Sequence, residues 1–400
     1  MTTIYESLTA WKPERRELPE THALAIARTG VVRVEPVDEQ DCWLLTPDSK
    51  VGVLVGDDWQ IGIKPRLAIP RLMFLLGYSL RPDGWQELEA MLDKEPMLHD
   101  AVAAAFSVYA ERALRPGVLH GYVSIDEASP GIRGRLRFGD QIARNPGLPL
   151  PVEITYDDFT ANVLENRMVR SATEVLMRLP RIAPQARKRL LWVRAALEDV
   201  EVLTDGRRVN APSSTRLNQR YGPALALAER VLRASSLSAE HGRMSATSFV
   251  FDMNEVFESF LSTRLDEAFR RHGGWVVRQG PATLAPGLPM RTDVTWWGPS
   301  GIRAVIDAKY KSLVDKKTMP NADAYQMLAY CVALGLPRGY LIYAKDSGEQ
   351  ERRYDVVRHD YSIRVFSVDV EREPEDLLRQ VDSIAATIAQ ERIDELASAA

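Results

Sequence analysis

The stretch "RTDVTWWGPSGIRAVIDAKYK", residues 291–311, carries one isolated aspartate in each of two apolar, strand-like runs: Asp293 in the first and Asp307 in the second. Strand interiors disfavour aspartate, and a lysine two residues beyond a buried acid points to chemistry rather than packing. Side chains alternate along a strand, so the two carboxylates leave one face only if the numbers of paired residues add up to an even total. A total of 600 sets Asp293 opposite Asp307, pairs Gly298 with Ile302 and leaves a three-residue loop, Pro299-Ser300-Gly301. That loop suits a type I turn followed by a left-handed residue, with proline first and glycine last.

Directly opposed residues have Cβ atoms roughly 4.5–5.5 Å apart. Two bare carboxylates at that distance repel and raise one pKa, a cost that something positive between them would offset. Oxygen ligands suit a hard divalent cation, and Mg²⁺ takes one or two carboxylates plus waters and phosphate. Lys309 projects from the same face as Asp307. Its ammonium can orient or help deprotonate an attacking water, or neutralise developing phosphate charge. Ala308 points the other way, into packing. An Asp-x-Lys alone more often marks acids salt-bridged to lysine on a half-exposed sheet. The upstream aspartate in register and the fitted turn favour the cation.

Two helices flank this hairpin in sequence. In "NADAYQMLAYCVALG" (321–335), Asn321 is a candidate N-cap, and Gln326 and Tyr330 share a face at i, i+4. Glutamine can anchor a water or a phosphate and tyrosine can bond a phosphate oxygen, although the same pair also fits plain packing. In "FDMNEVFESFLSTRLDEAF" (251–269), Met253, Phe257, Phe260, Leu261 and Ala268 form an apolar stripe. Glu258 lies on its border and Glu255 points away. Glu258 is therefore the candidate third acid near the cation, the alternative being a solvated border residue.

The whole chain has 400 residues, 45% hydrophobic and 26% charged, with a net charge of −4. That length predicts more than one domain, and the composition excludes a disordered or fibrous protein. The charge excludes a protein basic all over, but a nucleic-acid enzyme needs only a local basic track. Cys42 and Cys331 are the 2 cysteines, and the 6 histidines are scattered without helical pairing, which argues against disulfides and zinc. No signal core or membrane-length apolar run occurs, so a cytoplasmic location with no membrane partner is expected. No G-x-x-x-x-G-K-[ST] occurs either, so the chain has no P-loop of its own.

The fold class expected is α+β and multidomain. An N-terminal region over 1–240 reads as β-rich at 20–80, helical at 85–115, strand and loop at 121–158, and helical at 159–235. Gly56-Asp57-Asp58 looks like a hairpin tip within it. Arg133, Arg135 and Arg137 fall at period 2, as on one strand face, and Arg187, Lys188, Arg189 and Arg194 form the densest basic cluster. A Ser-rich stretch (234–248) marks the boundary to a C-terminal domain over 241–400. There the pattern predicts a helix at 252–271, strands at 275–280, 290–298 and 302–310, and a helix at 321–335. Strands at 339–344 and 362–369 and a helix at 373–391 complete a mixed sheet flanked by helices.

The order helix with Glu, Thr292-Asp293, Asp307-Ala308-Lys309, Gln326-x-x-x-Tyr330 resembles the PD-(D/E)xK nuclease superfamily, with Thr292 where proline often stands. "DMNEVFESFL", "RTDV", "IDAKYK", "DAYQMLAY", "YDDFTANVLENRMVRSA" and "IGIKPRL" together resemble the McrC family, nuclease subunits of McrBC-type restriction systems, from about residue 25 to 370. The resemblance implies a C-terminal restriction-endonuclease-like domain. Its catalytic residues would be Asp293, Asp307 and Lys309, with Gln326, Glu258 and Tyr330 in support. Asp293, Asp307 and the Ala308 carbonyl would hold Mg²⁺ or Mn²⁺, and Lys311, Lys316 and Lys317 would contact DNA. It further implies a McrB-like hexameric AAA+ GTPase as partner, GTP through that partner only, and double-stranded modified DNA, of the 5-methylcytosine type, as substrate. The N-terminal region would enter the hexamer's pore and stimulate its GTPase. Arg133, Arg135, Arg137 and the cluster Arg187, Lys188, Arg189 and Arg194 are the partner-binding candidates, or else solvated charged faces. Two other functions compete: a pore-inserted activator that does not cleave, and a stand-alone RecB-type repair nuclease.

Overall fold

The structure is a computed structural model and describes residues 3–38, 41–80, 98–179, 182–203, 210–239, 248–310, 319–345 and 351–399. The chain forms two compact units, and they do not divide at 240/241 as the sequence suggested. One combines Met1–Leu98 with Val250–Ala400, and the other is His99–Phe249.

The first unit is built on a six-stranded sheet in the order Trp275–Arg278, Val294–Gly298, Gly301–Lys309, Arg338–Lys345, Ser362–Asp369, Arg352–Asp355. The first three strands are antiparallel, the strands Pro281–Ala285 and Leu288–Arg291 intervening between the first and second and a tight turn joining the second and third. A parallel neighbour needs a crossover, and the helix Asn321–Leu334 supplies it between Gly301–Lys309 and Arg338–Lys345. One sheet face carries Val305, Leu341 and Tyr343, which pack with Met327, Tyr330 and Cys331 of that helix. On the other face, Phe269 of the helix Met253–Arg270 stacks on Trp296 at 4.5 Å, and its Phe257 meets Tyr310 at 5.8 Å.

Residues 1–98 belong to this unit because their strands and helices are completed by the C-terminal part. Thr3–Thr9, Trp59–Lys64 and Lys50–Val55 form a sheet whose fourth strand is Phe249–Asp252. Asp252 caps the helix Met253–Arg270 by accepting from the Asn254 N–H at 2.9 Å, and the Ser49 hydroxyl donates to the same carboxylate at 3.1 Å. Phe74, on the helix Ile69–Leu80, meets Phe260 edge-on at 5.7 Å.

The region 20–80 is less uniformly β than expected, since Glu20–Arg28 is a helix ahead of the strands Val32–Pro36, Cys42–Pro47, Lys50–Val55 and Trp59–Lys64. The hairpin tip is where the Gly-Asp-Asp pattern put it, with the Gly56 N–H donating to the Trp59 carbonyl at 2.8 Å.

The second unit combines helices, among them Leu164–Met177, Pro184–Ala196 and Gly222–Ala239, with a ribbon of Gly121–Ser129 against Val152–Thr160. Only Arg135–Leu136 adds a third strand to that ribbon, and Phe138–Arg144 is a helix. Arg133, Arg135 and Arg137 therefore do not line one strand face. Gly134, at φ +73°, bends the chain between the first two.

Replacing Asp252 by Ala removes the helix cap and the bond from Ser49. A loss of ~1–2 kcal/mol in stability is expected from urea unfolding, with unchanged secondary structure by circular dichroism.

Candidate functional site

The strand expected over 290–298 is broken. Leu288–Arg291 pairs with Pro281–Ala285 in a separate two-stranded sheet, and Val294–Gly298 enters the six-stranded one. Thr292 and Asp293 lie at the transfer point. The Thr292 N–H donates to the Gly280 carbonyl at 3.0 Å, and the Gln279 N–H to the Asp293 carbonyl at 2.8 Å.

Beyond it the hairpin register follows the expected total, with Val294 opposite Ile306, Thr295 opposite Val305 and Trp296 opposite Ala304. The turn does not. Gly298 pairs with Gly301, so the loop has two residues, and a bulge at Arg303 restores the register. Pairing with a two-residue loop alone would have given an odd total and sent the two acids to opposite faces.

The two acids meet. Asp307 is fully buried, and the Ala308 N–H beside it donates to Asp293 Oδ2 at 3.2 Å. Lys309 Nζ lies 2.8 Å from Asp307 Oδ2 as an ion pair, while Oδ1 has no hydrogen-bond donor among the described residues. Burial and then the charge of Asp293 push the Asp307 pKa up to about 8. For Lys309, burial pulls downward but the neighbouring Asp307 outweighs it, so the ammonium sits above its ordinary value.

Gln326 and Tyr330 anchor that ammonium. Lys309 Nζ donates to Gln326 Oε1 at 3.1 Å, Gln326 Nε2 donates to the Tyr330 hydroxyl at 2.9 Å, and that hydroxyl donates to the Arg291 carbonyl at 2.6 Å. Tyr330 is therefore buried and tied to backbone two residues before Asp293. Its hydroxyl braces Gln326 against the Arg291 backbone. Asn321 is the first helical residue, not the cap, which is Pro320.

Glu258 is half-buried and Glu255 exposed, as the helical stripe indicated. Burial, followed by the charge of Asp293, raises Glu258 to about 7, and Gln279 Nε2 donates to it at 3.3 Å. Glu258 thus feels the charge of Asp293. Among the described residues no group of three or more His, Cys, Asp or Glu side chains is placed to share one metal ion, so Glu258 does not complete a three-acid set. What remains is two carboxylates, one buried with its Oδ1 lacking a donor among the described residues, and the neighbouring Ala308 backbone. Such an oxygen-only set suits a hard divalent cation. Lys311, Lys316 and Lys317 lie outside the described residues.

The basic residues of the second unit divide by engagement. Arg133 lies over the Tyr156 ring at 3.8 Å and donates to Glu127 at 2.8 Å, and Arg137 pairs with Asp126 at 3.4 Å and with Asp140. Arg189 pairs with Glu111 at 3.2 Å and Arg194 with Glu174 at 3.1 Å. Arg135, Arg187 and Lys188 are exposed.

The model of the family described as "McrBC 5-methylcytosine restriction system component" matches residues 45–344. The chain belongs to that family. The McrBC-family chain also resembles, with a TM-score of 0.56 and 16% identity, a chain of a refined half-complex from the tetradecameric assembly of Thermococcus gammatolerans McrB AAA+ hexamers with bound McrC. The match covers 96% of this chain and 100% of that one. A second match, to the Thermococcus gammatolerans McrBC complex, has a TM-score of 0.40 and 16% identity over 67% of this chain and 88% of that one. At that identity the first likeness is one of fold: mixed α and β with several sheets. No curated protein matches. No helix among the described residues is long and apolar enough to cross a membrane.

Without a cation, ionising Asp307 costs stability. Its folded pKa of about 8 exceeds the ordinary 3.8, so this cost is absent below 3.8 and grows as the pH rises toward 8. Asp307→Asn in a chelating buffer is therefore expected to melt higher than wild type at pH 8, by about 2–4 °C per kcal/mol relieved. The gap should close toward pH 4, and added Mg²⁺ should raise the melting temperature of the wild type alone.

Proposed function

We propose that this protein is the DNA-cleaving subunit of a GTP-dependent, modification-dependent restriction complex, a PD-(D/E)xK phosphodiesterase using Mg²⁺ or Mn²⁺. The observation that supports this most is the buried Asp307 beside Asp293, with Lys309 Nζ at 2.8 Å. A scaffold that does not cleave has no reason to bear that cost.

Asp293 and Asp307, with the Ala308 carbonyl, would hold the cation. When bound, it supplies charge neutralisation for the phosphate and acidity for the attacking water. Lys309 keeps its proton beside the acids and offers it to phosphate charge that develops in the transition state. Gln326 fixes the ammonium through Oε1, and Tyr330 fixes Gln326 against the Arg291 backbone. Glu258, raised to about 7, takes up or releases a proton at the rim near neutral pH.

The family membership and the fold shared with a chain from an assembly of McrB hexamers with bound McrC support a hexameric AAA+ GTPase as partner. The absence of a P-loop in this sequence agrees with a motor on another chain. Partner binding belongs to His99–Phe249, which holds all the candidate cations and exposes Tyr122, Ile132, Phe138, Ile142 and Phe159.

In the complex with GTP and Mg²⁺, Asp307→Ala is expected to abolish cleavage of modified DNA, by about 10³-fold or more, while complex formation and partner GTPase stimulation persist. Loss of all three would make Asp307 structural. Robust digestion of DNA by the isolated chain without nucleotide would favour a stand-alone nuclease. Arg135→Ala should weaken GTPase stimulation by roughly tenfold or more, and Arg133→Ala should do so less, because Arg133 is already held by Glu127 and Tyr156.

A further inference from the structure

Arg291 ends the strand Leu288–Arg291, opposite Pro281, and stands two residues before Asp293. Its carbonyl accepts from the Tyr330 hydroxyl at 2.6 Å, so the chain that braces Lys309 also fixes the Arg291 backbone. Its side chain is exposed, and Nε donates to the Gln279 carbonyl at 3.2 Å. No carboxylate pairs with it among the described residues.

Gln279 is in the left-handed region, at φ +47°. A non-glycine residue holds that conformation only where its surroundings over-determine it, and such positions cluster at functional sites. Here its N–H bonds the Asp293 carbonyl at 2.8 Å, its carbonyl accepts from Arg291, and its side-chain amide donates to Glu258 at 3.3 Å. A single strained residue thus connects Asp293 and Glu258 with Arg291.

A guanidinium held by Nε keeps its two terminal nitrogens available as a planar fork, which matches two oxygens of a phosphate. Asp293, Asp307 and Glu258 make the site acidic, and a polyanionic backbone approaching it needs a fixed cation at the rim. Lys309 is engaged with Asp307 and Gln326. We propose that Arg291, oriented by left-handed Gln279, binds a phosphate of the DNA strand entering this site. The inference rests on the cleavage reading and adds a positioning contact to it.

Two measurements on the full chain test it. The first is anisotropy of a fluorescent 30-base-pair duplex (~30) across a salt series in chelating buffer. The second is cleavage of a modified duplex by the complex with its AAA+ partner, GTP and Mg²⁺. Arg291→Ala is expected to weaken duplex binding roughly tenfold and to lower the slope of log K against log salt by about 0.9. In cleavage it should raise KM more than it lowers kcat, and Arg291→Lys should recover the slope. The β-branched Gln279→Val, which φ > 0 strains, should behave like Arg291→Ala.

Wild-type affinity, slope and KM in a folded Arg291→Ala variant would overturn the proposal. Should that variant misfold, Arg291→Gln carries the same expectations. If the wild-type complex cleaves nothing while Arg291→Ala still lowers the salt slope, the cleavage reading fails and the phosphate contact stands. If cleavage is normal and the variant is indistinguishable, the contact alone fails.

Discussion

Two carboxylates side by side, one of them sealed in the middle of a sheet, are the constraint around which the first unit is arranged. Burying a charged group without a partner is costly, and a second negative charge beside it adds to that cost. Asp307 answers by holding on to its proton, with a pKa near 8. Lys309 offsets part of the charge, and the Ala308 N–H steadies Asp293. Sheet, crossover helix and the bond chain through Gln326 and Tyr330 all serve to keep these groups from drifting apart. Stability is given up locally, and the cation proposed for this site would restore it.

Much of this was legible in the chain because the decisive contacts are local. The parity of Asp293 and Asp307 follows from two-residue periodicity over a hairpin, and it survived an incorrect turn because the Arg303 bulge compensates for the shorter loop. Helix Met253–Arg270 and its border acid Glu258 follow from the apolar stripe. The break at Thr292–Asp293 was not legible, because alternation continues through it. Only the nonlocal bonds to Gly280 and Gln279 divert the strand.

Other features depended on contacts distant in sequence. Thr3–Thr9 pairs in parallel with Trp59–Lys64, which no short-range pattern signals. The helix Glu20–Arg28 has only 9 residues, too few for its periodicity to stand out from the strands that follow. The Ser-rich stretch looked like the main boundary, whereas the division falls where Phe249–Asp252 joins a sheet begun at Thr3–Thr9. Tyr330 shows the limit of spacing arguments: its helical face was read correctly, but its burial, and hence its role, came from packing.

The discontinuity of the first unit governs the order in which the protein can be made. As the ribosome works from the amino end, residues 1–98 emerge without Phe249–Asp252 beside Lys50–Val55, leaving that strand edge unpaired. The intervening segment His99–Phe249 is contiguous and can close its own core while synthesis continues. The strand carrying Asp307 is added only later. The site around Asp307 is therefore formed only after the segment proposed to bind the partner already exists.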